Sequence, residues 1–300
     1  NKTGANKKGM YINDQGICAA CEYSKAKDKT IDWDSREKKL IELCNKFRRN
    51  DGNYDCIVSG SGGKDSVKIS HLLKYRYNMH PLTVTFSPLM YTDVGWRNMQ
   101  SWISKGGFDN FLFSPNGKVS RVLAKEAFFN LYHPMQPFKF GIKSFAAKMA
   151  KKFNINLVMY GEPYIEYGSD EFKEGEAPSY NKDWYINDSK DIFLGGRKIQ
   201  HYIDKYDFSY NDISCFLPIT SLELENHDLR VEYLGWYLKW DPQGAYYYAA
   251  ENSGFEADEQ RTDGTYGKYS GIDDKMESLH YYTHYIKFMI GRCRFDASQE

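Results

Sequence analysis

An excess of charge of either sign is missing from this sequence: 40 lysine and arginine residues balance 40 aspartate and glutamate residues, so the net charge is zero. A protein that wraps DNA or tRNA usually carries a basic excess, because the neutralisation of phosphates dominates that binding. The balance therefore argues against nucleic acid as the main ligand, although it leaves room for a local basic patch.

Long apolar runs and a dense set of cysteines are missing too. No run comes near the roughly 18 apolar residues that a membrane-spanning helix needs, and no signal peptide is visible. The six cysteines are scattered over 300 residues, unlike the disulfide framework of a small secreted protein. We therefore expect a cytoplasmic protein that does not enter a membrane.

Apolar residues, by contrast, are plentiful: 41% of the chain is hydrophobic and 16% is aromatic, which is typical of a folded protein. Short apolar runs alternate with helical stretches after residue 33. This pattern predicts strands at 54–58, 81–86, 111–113 and 155–160, and helices at 34–49, 95–105, 118–131 and 141–153. Strands that alternate with helices imply an α/β fold with a parallel sheet and right-handed crossovers.

The same pattern suggests four segments. Residues 1–50 hold a polar stretch and a helix, and residues 51–165 form the main α/β unit. Residues 166–230 read as an insertion or lid, because much of that stretch is rich in Gly, Asp, Lys and Tyr. Residues 231–300 are expected to form the C-terminal part of the main unit and to face the substrate. A further strand is predicted at 231–240 and a helix at 278–289.

A glycine-rich loop joins the first predicted strand to the helix that follows. It reads Ser59-Gly60-Ser61-Gly62-Gly63-Lys64-Asp65-Ser66. Glycines let a backbone approach an anion closely, and the N–H groups and dipole of the following helix favour negative charge at that position. Serine hydroxyls and the Lys64 ammonium can add donors, whereas Asp65 in such a site needs a metal ion or a backbone amide as its partner.

This arrangement indicates a phosphate-binding loop rather than a plain glycine turn. It is not a Walker loop, because Asp65 follows Lys64 and no glycine occupies position 58. It is not a dinucleotide fingerprint either, because the spacing G-x-G-x-x-G is absent. The sequence Ser-Gly-Gly-x-Asp-Ser at 61–66, directly after a strand, resembles the signature of the PP-loop ATP-pyrophosphatases.

The resemblance implies a fold and a nucleotide. The fold would be the adenine nucleotide alpha-hydrolase-like (HUP) domain, and the loop would hold the β- and γ-phosphates of ATP. A substrate oxygen would attack the α-phosphate, and pyrophosphate would leave with Mg²⁺. The residues expected to bind the nucleotide are Ser59, Ser61, Gly62, Gly63, Lys64, Asp65, Ser66, Thr85, Phe86 and Gly161.

A closer resemblance covers nearly the whole chain. The segments that carry it are 16–21, 31–37, the loop, 91–95, 161–168, 264–266, 272–275 and 286–292. Together they are similar to the N-acetyl sugar amidotransferases of bacterial surface-polysaccharide (lipopolysaccharide O-antigen) and nonulosonic-acid pathways, such as that of pseudaminic acid. Two departures are Asp263, where glutamate is expected, and Cys293, where a small residue is expected.

For this family the implied reaction converts an acetamido group on a nucleotide-linked N-acetyl sugar into an acetamidino group. The amide oxygen attacks ATP to give an O-adenylyl imidate and pyrophosphate, and ammonia then displaces AMP. A glutaminase and a synthase-like subunit are the partners expected to supply the ammonia.

Cys18 and Cys21 have the spacing of two zinc ligands, although an isolated pair of this kind also suits a redox site or arises by chance. The resemblance favours zinc, in a small N-terminal zinc-knuckle-like segment. The family usually carries a second such pair upstream, which is absent here, so we expect a structural zinc site to be incomplete.

Three further charged residues are candidates for catalysis alongside Lys64 and Asp65. Glu162 follows the fourth predicted strand, where open α/β sheets place their sites; it could orient Mg²⁺ or the acetamido nitrogen. Lys287 and Arg292 lie on or just after an aromatic-rich helix in a C-terminal helical and mixed extension, and could neutralise pyrophosphate or the sugar nucleotide. For all three, the plain alternative is a solvated surface charge.

Two other functions compete with the amidotransferase. A PP-loop enzyme that thiolates or otherwise modifies tRNA would need a basic face and a catalytic cysteine, for which Cys215 is the one candidate. A non-catalytic ATP-binding protein of the same broad fold would have no use for an Asp-Ser pair placed to manage pyrophosphate.

Overall fold

The computed structural model of the chain describes residues 12–161, 186–189, 191–262 and 265–289. Within these ranges lie seven strands: β1 Cys56–Ser59, β2 Pro81–Phe86, β3 Asn110–Phe113, β4 Leu157–Tyr160, β5 Phe193–Leu194, β6 Arg197–Lys198 and β7 Arg230–Tyr233. Five of them form one parallel sheet in the order β3-β2-β1-β4-β7, whereas β5 and β6 form a small antiparallel hairpin. The predicted α/β fold with a parallel sheet is confirmed.

The helices in the described ranges are α1 Ala19–Lys29, α2 Trp33–Phe47, α3 Lys64–His71, α4 Asp93–Ser104, α5 Gly117–Leu131, α6 Gln136–Lys152, α7 Ile199–Tyr206, α8 Tyr210–Ile213, α9 Leu234–Tyr237, α10 Pro242–Ser253 and α11 Glu277–Phe288. A π-helical turn, Leu72–Arg76, continues α3, and the turn Ser214–Phe216 follows α8. None of these helices has the length and apolar character to span a membrane.

Both faces of the sheet are covered, which explains why its strands are apolar throughout rather than alternating. On one face Ile57 and Val158 join a core with residues of α5 and α6. On the other face Val58 and Met159 join a core with residues of α2 and α3. The adjacent side chains of β1 therefore point into different cores, as the period of two in a strand requires.

The strand order fixes where a ligand can reach the sheet. From β1 the chain moves outward through β2 to β3, and then returns to place β4 on the other side of β1. In open parallel sheets, this reversal opens a crevice at the carboxyl ends of the two strands that flank it. The loop after β1 begins at this crevice, so the topology and the glycine-rich motif point to one place.

Two elements differ from the sequence-based expectations. Helix α1 was not predicted, because its lysine-rich sequence hides an apolar stripe of Ala19, Tyr23 and Ala26. The strand predicted at 231–240 is shorter: it ends at Tyr233, and the short helix α9 follows. Both differences depend on tertiary packing, which cannot be deduced from local composition.

The segment expected to be an insertion or lid, residues 166–230, has buried side chains in its described part. Leu194, Tyr202 and Ile213 are fully buried in the core formed with α5 and α6. The hairpin and α7 are held to α5 by Glu126, whose carboxylate accepts from Tyr206 Oη at 2.6 Å and from Lys205 Nζ at 3.2 Å. Residues 191–219 therefore contribute several buried side chains to the core, while many of their other side chains are exposed. The lid stays a prediction. Residues 162–185 lie outside the described ranges.

Candidate active site

The glycine-rich loop follows β1 without a break. The Gly60 N–H donates to the Val84 carbonyl of β2 at 3.0 Å, so the loop starts in register with the sheet. Gly62 then adopts a φ of +83°, and a Cβ at this position would lie 2.7 Å from the Cα of Met99 in α4. The close approach of the loop to α4 therefore requires glycine at position 62.

The first turn of α3 presents uncapped N–H groups. Its N-cap is Gly63, which has no side chain to satisfy the free donors of the helix. A Cβ on Gly63 would meet nothing closer than Ser61 Oγ at 3.8 Å, so the space in front of the turn is open. An uncapped helix N-terminus that faces open space is a ready site for an anion.

The hydroxyl of Ser66 has a partner within the loop, and its predicted contact with the nucleotide stays a prediction. Ser66 is buried, and its Oγ donates to the Gly63 carbonyl at 2.8 Å. It therefore holds the turn closed around the loop, because its single O–H is already engaged. Ser61 is the loop hydroxyl that lines the open side.

Lys64 and Asp65 bring two opposite charges to the mouth of the loop. The Lys64 Nζ lies 2.6 Å from Asp65 Oδ2 and 5.8 Å from the ring centroid of Tyr269. The second carboxylate oxygen of Asp65, Oδ1, is buried and has no hydrogen-bond partner among the described residues. A carboxylate oxygen without a donor, beside an anion site, fits a magnesium ion, which takes one or two carboxylates together with phosphate oxygens.

A cleft of about 260 Å³ opens in front of the loop. The loop forms its floor, and the start of α4 and a strap of residues 269–273 form its walls. Its lining residues are Ser61, Gly62, Gly63, Lys64, Asp65, Gly95, Asn98, Phe255, Tyr269, Ser270, Gly271, Ile272, Asp273 and Tyr281. Sequence reasoning identified the floor but did not identify Asn98, Phe255, Tyr269 or Tyr281 as site residues.

The strap is fastened to the N-terminus of α4. Thr92 caps this helix by accepting from the Gly95 N–H at 3.0 Å, and its own hydroxyl donates to the Ile272 carbonyl. The Thr92 N–H donates to the Asp273 carbonyl at 3.2 Å. A Cβ on Gly95 would lie 2.5 Å from the Asp273 Cα, so glycine is needed for the strap to lie this close.

Asp274, next to the strap, is a structural anchor rather than a cleft residue. It is buried, and its two carboxylate oxygens accept from the N–H groups of Leu89 at 2.6 Å and Met276 at 2.9 Å. Burial raises the pKa of this carboxyl, and the two backbone N–H groups oppose the rise. The anchor ties the strap to the loop that follows β2.

The structure does not bring Thr85 and Phe86 into the cleft. Thr85 is fully buried; its Oγ1 lies 3.8 Å from Met99 Sδ and accepts from Asn110 Nδ2 at 3.2 Å. Phe86 packs in the core with rings of α6 and β3, at centroid distances of 5.5–5.8 Å. Every residue of β2 is buried, so the sequence pattern could not tell which side chain faces the loop.

The remaining predicted residues lie around the cleft or away from it. Ser59 ends β1 below the loop. Gly161 follows β4, where an added Cβ would lie 3.0 Å from side-chain atoms of Ile69 and Trp240. Lys287 is remote from the cleft lining: its Nζ donates to the Leu131 carbonyl at the end of α5 at 3.2 Å. Glu162 and Arg292 lie outside the described residues, so their roles stay predictions.

Cys18 and Cys21 lie at the start of α1, with Cys18 as its N-cap residue. The Cys21 N–H lowers the pKa of the Cys18 thiol. Within the ranges that the structure describes, no group of three or more His, Cys, Asp and Glu side chains is placed to hold a metal ion. A structural zinc site needs four ligands, so this part of the chain does not fit one.

Cys215 does not have the properties of an activated thiol. It is half-buried, and burial raises its pKa to about 11. A nucleophilic cysteine needs a lowered pKa, because the thiolate is the reactive form. The environment of Cys215 therefore does not favour this side chain as a nucleophile.

Sequence comparisons do not assign the chain to a family. No known family profile matches it. Over 146 residues, or 49% of the chain, it is 24% identical to an uncharacterised protein of Methanocaldococcus jannaschii. That match covers 36% of the relative, so the chain spans about a third of that protein's length.

Parts of the chain are similar to several solved structures. An NH3-dependent NAD synthetase from Campylobacter jejuni matches 47% of this chain and 62% of its own, at 13% identity and a TM-score of 0.36. A predicted subunit of tRNA methyltransferase from M. jannaschii matches 65% of this chain and 75% of its own, at 12% identity and a TM-score of 0.34. An NMN synthetase from Francisella tularensis matches 66% of this chain and 92% of its own, at 12% identity and a TM-score of 0.35.

Proposed function

We propose that this chain is an ATP-dependent enzyme of the PP-loop type, which cleaves ATP between the α- and β-phosphates and forms an adenylated substrate. The observation that carries the proposal is the uncapped first turn of α3, which opens onto a cleft that also holds Lys64 and Asp65. This is a site for a polyphosphate beside a carboxylate that can hold a metal ion.

Each residue of the loop has a physical task in this proposal. The backbone N–H groups at the start of α3 bind the β- and γ-phosphates, and the Ser61 hydroxyl adds a donor on the open side. Lys64 leaves its contact with Asp65 to contact a phosphate oxygen as a point charge. Asp65 would hold Mg²⁺, which when bound neutralises charge on the leaving pyrophosphate.

The substrate that we propose is the acetamido group of a nucleotide-linked N-acetyl sugar. An amide carbon is a poor electrophile, and turning its oxygen into a phosphate ester gives ammonia a leaving group to displace. The resemblance in sequence supports this choice, and so does one feature of the fold. Two segments that carry the resemblance, 91–95 and 272–275, are distant in sequence yet lie together at the cleft.

ATP–pyrophosphate exchange tests the proposal. The purified chain, with Mg²⁺, ATP and labelled pyrophosphate, should incorporate label into ATP only when a UDP- or CMP-linked N-acetyl sugar is added. The same sugar nucleotide without the acetyl group is the control, because it lacks the attacking oxygen. Exchange that depends on tRNA instead would favour the tRNA-modifying alternative. ATP binding without exchange under any of these conditions would favour a non-catalytic protein.

A further inference from the structure

A second polar site lies beside the cleft, between the start of α6 and the side of α11. Its members are His133, Lys139 and His280. Lys139 Nζ is 2.8 Å from His280 Nε2, and the rings of His133 and His280 stack at 4.8 Å with an interplanar angle of 13°. Tyr281, the next residue along α11, lines the cleft. Consecutive helical residues point about 100° apart, so the two sites occupy adjoining sides of one helix.

The contact with Lys139 fixes the tautomer of His280. An ammonium group only donates hydrogen bonds, so Nε2 of His280 must accept and the ring proton must reside on Nδ1. His280 is 6% exposed, and its Nδ1 is buried with no hydrogen-bond partner among the described residues. Among the described residues this buried N–H donor therefore has nothing to donate to, which is a costly arrangement unless a ligand supplies an acceptor.

The surroundings of this donor are basic. Burial, with smaller contributions from Lys139, His133 and His284, lowers the pKa of His280 to about 3. His280 is thus a neutral donor next to the Lys139 ammonium. The matching ligand is an anionic oxygen, which can accept from Nδ1–H of His280 and is attracted by the charge of the Lys139 ammonium.

We infer that this α6–α11 site binds a phosphate group of the second substrate, a sugar linked to a nucleoside diphosphate, through His280 Nδ1 and the charge of Lys139. The identity of the ligand rests on the proposed function. The phosphates of ATP have their own site at the start of α3, and neither Lys139 nor His280 lines that cleft. A reaction between two phosphate-bearing substrates requires two such sites, and α11 connects them.

The test measures binding without turnover, with UDP as the probe and uridine as the control that lacks phosphate. In the wild-type chain labelled with ¹⁵N-histidine, UDP should move the His280 Nδ1 signal and uridine should not. This measurement needs no variant. His280→Phe and Lys139→Met should each weaken UDP binding about tenfold or more. His280→Asn keeps an N–H near the position of Nδ1 and should retain most of the affinity.

The matched controls separate this site from the loop. His227→Phe removes a histidine that contacts the Ile155 carbonyl, before β4 begins, and should leave UDP affinity unchanged. Asp65→Ala should weaken binding of Mg²⁺–ADP but not of UDP. Equal UDP affinity in wild type, His280→Phe and Lys139→Met would overturn the inference, as would uridine binding as tightly as UDP; an ordered water would then be the partner of Nδ1.

The inference and the proposed function can fail separately. UDP binding that depends on His280, in a chain that makes no adenylate with any N-acetyl sugar nucleotide, would overturn the proposed function alone. Adenylate formation by His280→Phe with an unchanged KM for the sugar nucleotide would overturn the inference alone.

Discussion

At the scale of single residues, Asp34 and Asp65 provide a matched pair. Each is the second residue of its helix, in α2 and α3 respectively. We expect Asp65→Ala to lower AMP formation about a hundredfold or more, because it removes the carboxylate proposed to hold the Mg²⁺ that neutralises charge on the leaving pyrophosphate. Asp34→Ala removes the same charge from the same helical position, on the exposed surface, and should leave the rate unchanged. Near-normal AMP formation by Asp65→Ala would show that the loop has another function.

Two neighbouring glycines should respond differently to alanine. At Gly62 a Cβ would collide with the α4 backbone, and the residue has a φ of +83°. We therefore expect Gly62→Ala to lower the free energy of unfolding by about 1–3 kcal/mol. At Gly63 the backbone is ordinary and the space is open, so Gly63→Ala should fold normally but bind ATP weakly, because its methyl group enters the phosphate site. Thermal unfolding and ATP titration measure the two effects, and equal stability of the two variants would contradict this interpretation.

At the scale of elements, the strap and its Asp274 anchor give a prediction on pH. Burial raises the pKa of Asp274 in the folded state, so its proton is held more tightly in the folded than in the unfolded chain. That contribution to stability is full below the unfolded pKa of about 4 and is lost as the pH rises through the folded pKa. Asp274→Asn removes this titration. The melting temperature of the wild type should therefore fall more steeply than that of the variant as the pH rises above the unfolded pKa.

The comparison of two slopes isolates Asp274, because other titrating groups are the same in both chains. Parallel slopes would mean that the carboxyl of Asp274 has the same pKa in the folded and unfolded states. Hydrogen exchange gives a second check. Asn can satisfy only one of the two N–H groups that Asp274 accepts from, so exchange at Leu89 or Met276 should be faster in the variant.

Much of this architecture could be predicted from the sequence, since strands, helices and the loop are local patterns. The strand 81–86 matches its prediction residue for residue, and the loop joins β1 to α3 as expected. The strap could not be predicted in the same way. Its contacts with Thr92 and Gly95 link residues about 180 positions apart, and only the tertiary fold brings them together.

The direction in which individual side chains point could not be predicted from the sequence either. Phe86 was expected beside the nucleotide because it ends β2 next to the loop, yet it packs in the core. A strand that is buried on both faces has no polar alternation to indicate which side chain points where. Tyr269 and Tyr281 were missed for a related reason: in a chain with 25 tyrosines, an aromatic residue is more often packing than recognition.

At the scale of the whole molecule, the proposed reaction needs a source of ammonia. The sequence holds no cysteine in a nucleophile turn with a recognisable histidine and acid downstream, so we propose a separate glutaminase partner. The chain alone should make amidine only with high ammonium salt, and better at alkaline pH, where more of the ammonium is deprotonated to ammonia. With glutamine as the sole nitrogen donor it should make none until a glutaminase is added.

Amidine formed from glutamine by the purified chain would refute the partner while leaving the adenylation chemistry intact. The control is an equal concentration of sodium salt, which matches the ionic strength of the ammonium salt and supplies no nitrogen.

The central claim is that an oxygen of the substrate attacks the α-phosphate of ATP. The most direct measurement uses a sugar nucleotide labelled with ¹⁸O in the acetamido carbonyl, together with ATP, Mg²⁺ and ammonium, followed by mass spectrometry of the products. The account predicts one ¹⁸O atom in AMP, none in pyrophosphate, and an unlabelled amidine. Formation of ADP and phosphate, or of AMP that carries no ¹⁸O, would contradict it.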